Sequence, residues 1–354
     1  MNEPGISVVV PAFERLPLLE SLLRTLARER NGLAVPSEVI VADSSSESLI
    51  PSVKKLCDSF SAHYLRSRSR NPAVSRNNGF RAAKHPIVLF VDSDCEAEPG
   101  LLAAHINAYN YPKTGGVAGV TRFTGEDGPG YLLMQCTPYL LPFIFSETRK
   151  RVDWAPSSNI SYRRNVLEMA GGFDESMPVK AGGEDVMLGW KVTGAGHEIL
   201  CSAEAAVTHR KETWNSMAAA LQRVVRWGRA NCHIAMAIPA RTRRNFHYAA
   251  LLFLLSLPAA VFLMSAFGGR LWLFLPVGCL AGLVTRKALS GTPSRQSPAP
   301  FHLRAGGALL MLAFEISYVL ECLYHLHPAI FTAPVHDDEL EGLTSKIPEK
   351  ACPD

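Results

Sequence analysis

Three short runs of mostly β-branched residues, each halted at its carboxyl end by proline or aspartate and followed by a helical pattern, constrain this chain more than any other feature. Ile6 to Val10 stops at Pro11, Glu38 to Ala42 at Asp43, and Ile87 to Val91 at Asp92. Continuous apolar runs of this length read as strands buried on both faces. Leu16 to Leu26, Val53 to Phe60 and Pro72 to Ala83 supply helices between them, and short strands are expected near His63 to Leu65, Val117 to Phe123 and Ala206 to Thr208. Gly125 to Gly130 reads as a loop, whereas Tyr131 to Val152 is apolar with internal prolines and has no assignable pattern. The fold class is therefore α/β with a mostly parallel central sheet, whose ligands bind beyond the carboxyl ends of the strands. Asp43, Asp92 and Asp94 all fall there.

The second constraint lies at the other end of the 354 residues, where the apolar content that makes the chain 47% hydrophobic and only 19% charged is concentrated. Tyr248 to Phe267 carries no charge and is long enough to cross the roughly 30 Å hydrocarbon layer as a helix. Leu271 to Thr285 and Ala305 to Leu323, the latter with Glu315 and Glu321, suit either spanning or interfacial helices. With three spans, the loop holding Arg286, Lys287, Arg295 and Arg304 lies on the cytoplasmic side with the catalytic region, as the positive-inside rule requires. The tail after His327, with Asp337, Asp338, Glu339 and Glu341, then faces outward and is weakly ordered. Leu221 to Ala230 reads as an amphipathic helix whose Arg223, Arg226 and Arg229 meet anionic headgroups.

These patterns divide the chain into a catalytic domain (1–215), an interfacial helix and linker (216–246), a membrane region with two or three spans (247–326) and an acidic tail (327–354). Met1 to Phe13 lacks a basic n-region and a sufficient apolar stretch for a signal peptide, so the expected location is the cell membrane, multi-pass, with the catalytic domain cytoplasmic. The net charge of +4 is not organised as a basic stripe, which excludes nucleic acid as the expected partner. The eight cysteines contain no C-x-x-C pair, which argues against a zinc ribbon or a disulfide framework.

Two groups of residues carry potential chemistry. Val91-Asp92-Ser93-Asp94 puts two carboxylates at a strand end, a set that a hard divalent cation accepts together with phosphate oxygens; taken alone, the same triplet also suits a solvated turn. Gly182-Gly183-Glu184-Asp185 precedes an apolar helical run, so its carboxylates sit at a helix N-terminus, where they serve as a base or as a cap. His209, in Val207-Thr208-His209-Arg210, is by itself either structural or a ligand.

Val8-Val9-Val10-Pro11-Ala12-Phe13, Ile40-Val41-Ala42-Asp43-Ser44, Ser75-Arg76-Asn77-Asn78-Gly79 and Val91-Asp92-Ser93-Asp94 resemble, in order and spacing, the successive motifs of family-2 glycosyltransferases. The similarity continues through Asn159-Ile160-Ser161-Tyr162-Arg163 and Gly171-Gly172-Phe173-Asp174-Glu175 to Gly183-Glu184-Asp185, covering residues 6–212. It implies a GT-A nucleotide-sugar-binding domain that transfers a sugar with inversion from a nucleotide diphosphate sugar to a glycan or lipid-linked acceptor beside membrane lipids. In that reading Pro11, Ala12, Phe13 and Glu14 form the first donor loop and Asp43 meets the base. Arg76 and Asn77 face the diphosphate, Asp92 and Asp94 with His209 hold Mg2+ or Mn2+, Asp185 is the general base and Glu184 orients the acceptor or caps its helix. Ser44 stands where the family often has a second acidic residue. Gln222, Arg226 and Trp227 resemble the Q-x-x-R-W motif of processive synthases, with one residue too many between Gln222 and Arg226. A processive polysaccharide synthase and a catalytically silent nucleotide-sugar-binding scaffold are the alternatives.

Overall fold

A computed structural model describes residues 5–177, 182–290 and 299–335. The chain opens with β1 (Ile6–Ala12), α1 (Leu16–Asn31), β2 (Ser37–Asp43), α2 (Ile50–Ser59), β3 (His63–Arg66), α3 (Pro72–Ala82), β4 (Ile87–Val91), β5 (Cys95–Ala97) and α4 (Leu101–Asn107). It continues through β6 (Thr114–Thr124), α5 (Pro129–Gln135), β7 (Arg151–Val152), β8 (Asn159–Arg163), α6 (Arg164–Ala170), α7 (Glu184–Gly194), β9 (Glu198–Arg210) and α8 (Met217–Ala237). The C-terminal part comprises β10 (Thr242–Arg244), α9 (Tyr248–Phe267), α10 (Phe274–Leu289), α11 (Phe301–Tyr324) and β11 (Thr332–Pro334).

The strands β3-β2-β1-β4-β8-β6-β9-β5 form one sheet, with β7 paired to β9. The β1–β4 half is wholly parallel, as the alternation of strands and helices predicts, but β8 runs antiparallel to both β4 and β6. The sheet is thus mixed, because the chain between β4 and β8 returns through β6 instead of a single crossover helix. Each face carries its own core. Ile6, Val8 and Val10 point into the layer with Leu19, Leu22, Leu23 and Leu26 of α1, while Val9 points into the layer with Phe80, Phe90, Phe173 and Leu188. That two-sided burial is why β1 reads as an unbroken apolar run.

Two stretches depart from expectation. The strand expected at Ala206 to Thr208 is the end of the long β9, and the unassigned Tyr131 to Val152 region continues α5, makes short 3-10 turns around Pro138 and Pro142, and enters β7. Arg223 and Arg229 both have protein partners. The Arg223 guanidinium lies 3.7 Å over the Trp214 ring, and the exposed Arg229 donates to Glu321 of α11 at 2.7 Å, because α8 packs along α11. α9, Arg270–Leu289 and α11 are each long and apolar enough to cross a membrane.

The start of the tail is ordered against the rest of the protein. Residues 327–335 are folded back: β11 pairs antiparallel with β10, and Val335 N donates to the Arg241 carbonyl at 3.0 Å while Arg241 pairs with Asp153 of the catalytic domain at 2.7 Å. Asp337, Asp338, Glu339 and Glu341 lie outside the described residues, as does Arg295.

Candidate active site

The loops that leave β1 and β2 are laced together at the carboxyl edge of the sheet. Glu14 adopts a left-handed backbone (φ 59°), its N–H donates to Ser45 Oγ at 2.8 Å, and its carboxylate accepts from Ser46 N at 3.0 Å. Ala12, Phe13, Arg15, Ser45 and Ser93 line a small recess here. Phe13 is exposed beneath the Arg70 guanidinium, 5.3 Å from the ring centroid. Asp43 is fully buried: Oδ1 accepts from Ser45 N at 2.9 Å, and Oδ2 faces Tyr64 Oη at 3.3 Å and Arg66 at 3.5 Å. These contacts shape the turn after β2, since a strand-end carboxylate readily captures the N–H two residues on.

α3 starts where Asn71 Oδ1 accepts from Ala73 N, with Pro72 at its first position. It points Arg76 inward. The guanidinium is almost fully buried and forks between two carboxylates, donating from Nη2 to Asp92 Oδ1 at 2.8 Å and from Nη1 to Glu184 Oε1 at 2.9 Å. The planar fork that suits a diphosphate thus holds the strand-end aspartate to the α7 N-terminus. Asn77 is likewise internal: it donates to the Phe173 carbonyl and to Glu175 Oε1, each at 2.8 Å, and accepts from Phe173 N at 2.9 Å. Its amide pins the Gly171–Glu175 segment, and Gly172 is required there, because at φ 71° an added Cβ would lie 2.5 Å from Asn77 Oδ1.

α7 begins after Gly183, whose φ of 90° makes the sharp entry. This delivers Glu184 to Arg76 and leaves Asp185 in a recess where Oδ1 accepts from Val186 N at 2.9 Å. Desolvation, and then the charge of neighbouring Glu184, lift the Asp185 carboxyl to about 7 against the pull of Arg76. A carboxylate so tuned is a competent base near neutral pH.

Asp94 and His209 meet because β5 and β9 pair antiparallel with Cys95 opposite His209. His209 Nε2 is 3.2 Å from Asp94 Oδ1, and His209 Nδ1 donates to the Arg210 carbonyl at 2.9 Å. That carbonyl only accepts, so Nδ1 carries a proton; Nε2 donates to Asp94 when the ring is charged, and when the ring is neutral its lone pair is free for a cation, the arrangement a metal-ligating histidine needs. Burial opposes charge on both groups, yet their mutual hydrogen bond and attraction hold Asp94 below and His209 above their ordinary ranges, with Arg15 adding to the former. Asp94 and His209, with Asp92 close by, fit a divalent cation; Cys95, the other potential ligand in this group, is buried in the apolar core with its thiol pushed well up by burial and does not.

Two arginines that the motifs do not include also stand at this edge. Arg15 Nη1 donates to Asp94 Oδ2 at 2.5 Å, and Arg223, which donates to the Thr213 carbonyl at 3.4 Å, is lowered to about 10 by burial and the like charge of Arg226, against the attraction of Asp94. Arg15 directly follows the first loop, a signal that was available; Arg223 gave none, since its approach depends on how α8 crosses the sheet edge.

Residues 7–168 match the model of the family described as Glycosyl transferase family 2. Validoxylamine A glucosyltransferase of Streptomyces hygroscopicus is 27% identical over 230 residues, covering 57% of this chain and 54% of that protein. Pre-mycofactocin glycosyltransferase of Mycobacterium tuberculosis is 30% identical over 221 residues, covering 59% and 43%. The chain thus spans about half the length of the curated relatives it matches. A mannosyltransferase from Pyrobaculum calidifontis, solved in complex with GDP-Man and Mn2+, shares the fold with a TM-score of 0.57 at 19% identity over 92% of this chain and 88% of that one. The motifs, the sheet and these matches together make residues 7–168 a family-2 glycosyl transferase domain, built on the GT-A fold.

Proposed function

We propose that this protein is an inverting glycosyltransferase that moves a sugar from a nucleotide diphosphate sugar onto an acceptor hydroxyl at the cytoplasmic face of the cell membrane, in cell-envelope glycan or glycolipid synthesis. The observation that carries this reading is the chain of contacts Asp185–Glu184–Arg76–Asp92, which ties a base-like carboxylate to the Asp94–His209 pair at one strand end. The acceptor oxygen forms its bond to the anomeric carbon as its proton passes to the Asp185 carboxylate. The bond from that carbon to the diphosphate oxygen breaks, and the electron pair leaves with the nucleoside diphosphate. Asp94 and His209, with Asp92, would hold Mg2+ or Mn2+, which supplies Lewis-acid neutralisation of the leaving group. Arg76 keeps the Asp92 and Glu184 carboxylates in register, and the Pro11–Glu14 loop covers the donor side. The mannosyltransferase solved with GDP-Man and Mn2+ supports a nucleotide-sugar donor and a divalent ion here.

The test is nucleoside diphosphate release by the purified, detergent-solubilised full chain, screened with uridine, guanosine and thymidine diphosphate sugars with and without manganese. Release with one donor, stimulated by manganese and by a polyprenyl phosphate or glycan acceptor, is expected. Donor binding with no release under any acceptor would assign the chain to the silent scaffold instead.

A further inference from the structure

β10, just before α9, pairs with β11, just after α11, and both are anchored to the catalytic domain through Arg241 and Asp153. His247, at the start of α9, stacks on Tyr318 of α11 at 4.5 Å, and the Tyr318 hydroxyl lies 2.8 Å from the Ala329 and Thr332 carbonyls. The beginning of α9 and the C-terminal part of α11 therefore meet at one level. The end of α10 meets α11 nearby: Ala288 packs with Ala308 and Met311, and Lys287 pairs with Glu315.

α11 consequently runs across the base of a hairpin made by α9 and α10. Its other side is covered by α5 and the turn after it and, further along, by α8. An added Cβ on Gly306 or Gly307 would strike Leu133 or Cys136, Gly228 of α8 abuts Phe314 and Ser317, and Arg229 and His233 hold Glu321. Within its most apolar 18-residue stretch, 50% of α11 is buried, against 17% of that stretch in α9 and 6% in Arg270–Leu289. A crossing by α11 would drag α8, with Arg223 and Arg229, into hydrocarbon at a cost of several kcal/mol for each charged group.

α9 is 20 residues long, about 30 Å at the helical rise, which matches the hydrocarbon thickness. Leu255, Phe262, Phe267, Leu271 and Phe274 are exposed along the hairpin and its turn. Arg270 and Trp272 stand at that turn, while Arg243, Arg244, Arg286, Lys287 and Arg304 flank the base, the asymmetry expected when the base faces the cytoplasm.

We propose that α9 and α10 form a two-span hairpin in the lipid bilayer, that α11 lies in the membrane plane beneath the catalytic domain, and that the C-terminus emerges on the same side as the active site. This holds whether or not the site transfers sugar. In sealed membrane vesicles of both orientations carrying the full chain, an epitope tag after Asp354 should be digested by an impermeant protease together with the catalytic domain. A small tag between Gly268 and Gly269 should be protected in those vesicles and exposed in the opposite ones. A C-terminal tag on the face opposite the catalytic domain means an odd number of spans and overturns the proposal, and this readout needs no change inside the fold. A turn tag on the catalytic face overturns it too, as does release of the untagged protein by alkaline carbonate without detergent, which would assign the hairpin's apolar surface to a second copy of the chain.

Discussion

His209 Nε2 lies 3.2 Å from Asp94 Oδ1, a contact made by the antiparallel pairing of β5 with β9 and by nothing in the sequence near either residue. Asp94→Ala is expected to abolish manganese-dependent turnover and weaken donor binding. His209→Ala should raise the half-saturating manganese concentration on the order of 10-fold or more while leaving the maximal rate measurable, judging from the roughly 10–100-fold effects of even indirect ligand partners. Manganese titrations of nucleoside diphosphate release check both; full turnover of Asp94→Ala at saturating manganese would exclude this pair as the cation site.

Asp185→Asn keeps size and much of the hydrogen bonding but removes the proton acceptor. Its rate should fall by about 10²–10⁴-fold with donor affinity near that of the parent. Stopped turnover together with lost donor binding would move Asp185 to the nucleotide site, and near-parental turnover would exclude it as the base.

The same carboxyl sets the pH dependence. Burial lifts it from an ordinary 3.8 to about 7, so the base is unprotonated only above that pH and the rate should climb as pH rises through about 7. The folded state binds this proton more tightly than the unfolded chain, so its contribution to stability is present at low pH and is lost as pH rises from the unfolded value through about 7. Asp185→Asn should therefore gain stability relative to the parent between pH 5 and pH 8 in urea unfolding, and a constant difference across that range would show that the carboxyl is not shifted.

Arg76→Met strands two carboxylates. Breaking a buried pair costs about 3–5 kcal/mol, and because the Asp92 side chain retains 32% exposure the lower end is expected. Arg76→Lys keeps the charge but not the two-pronged geometry, so it should recover only part of the loss. If either variant unfolds in urea at the parental midpoint while losing donor affinity, Arg76 binds the diphosphate directly.

Asn77→Ala removes three hydrogen bonds within the protein. It should destabilise by about 1–3 kcal/mol and leave the donor dissociation constant unchanged at temperatures where the variant is folded. Isothermal titration with the accepted donor distinguishes this from a diphosphate ligand, whose loss would weaken binding without lowering stability.

The sequence by itself determined the parallel half of the sheet, the strand-end aspartates, the glycine turn before Asp185 and the apolar length of α9, because each is written in local periodicity or in turn residues whose physics is short-range. Only the tertiary structure decided what those residues face. Arg76 and Asn77 sit on the predicted helix, yet the folding of Phe173, Glu175 and Glu184 over α3 captures their side chains, and no local pattern records partners about a hundred residues away. Asp43 ends its strand as expected, but Tyr64 and Arg66 of the neighbouring strand close over it. Hydropathy likewise gave α11 the length of a span; only the structure shows that half of its most apolar stretch is buried by the protein itself, since an apolar helix is equally satisfied by lipid or by protein and composition cannot distinguish the two.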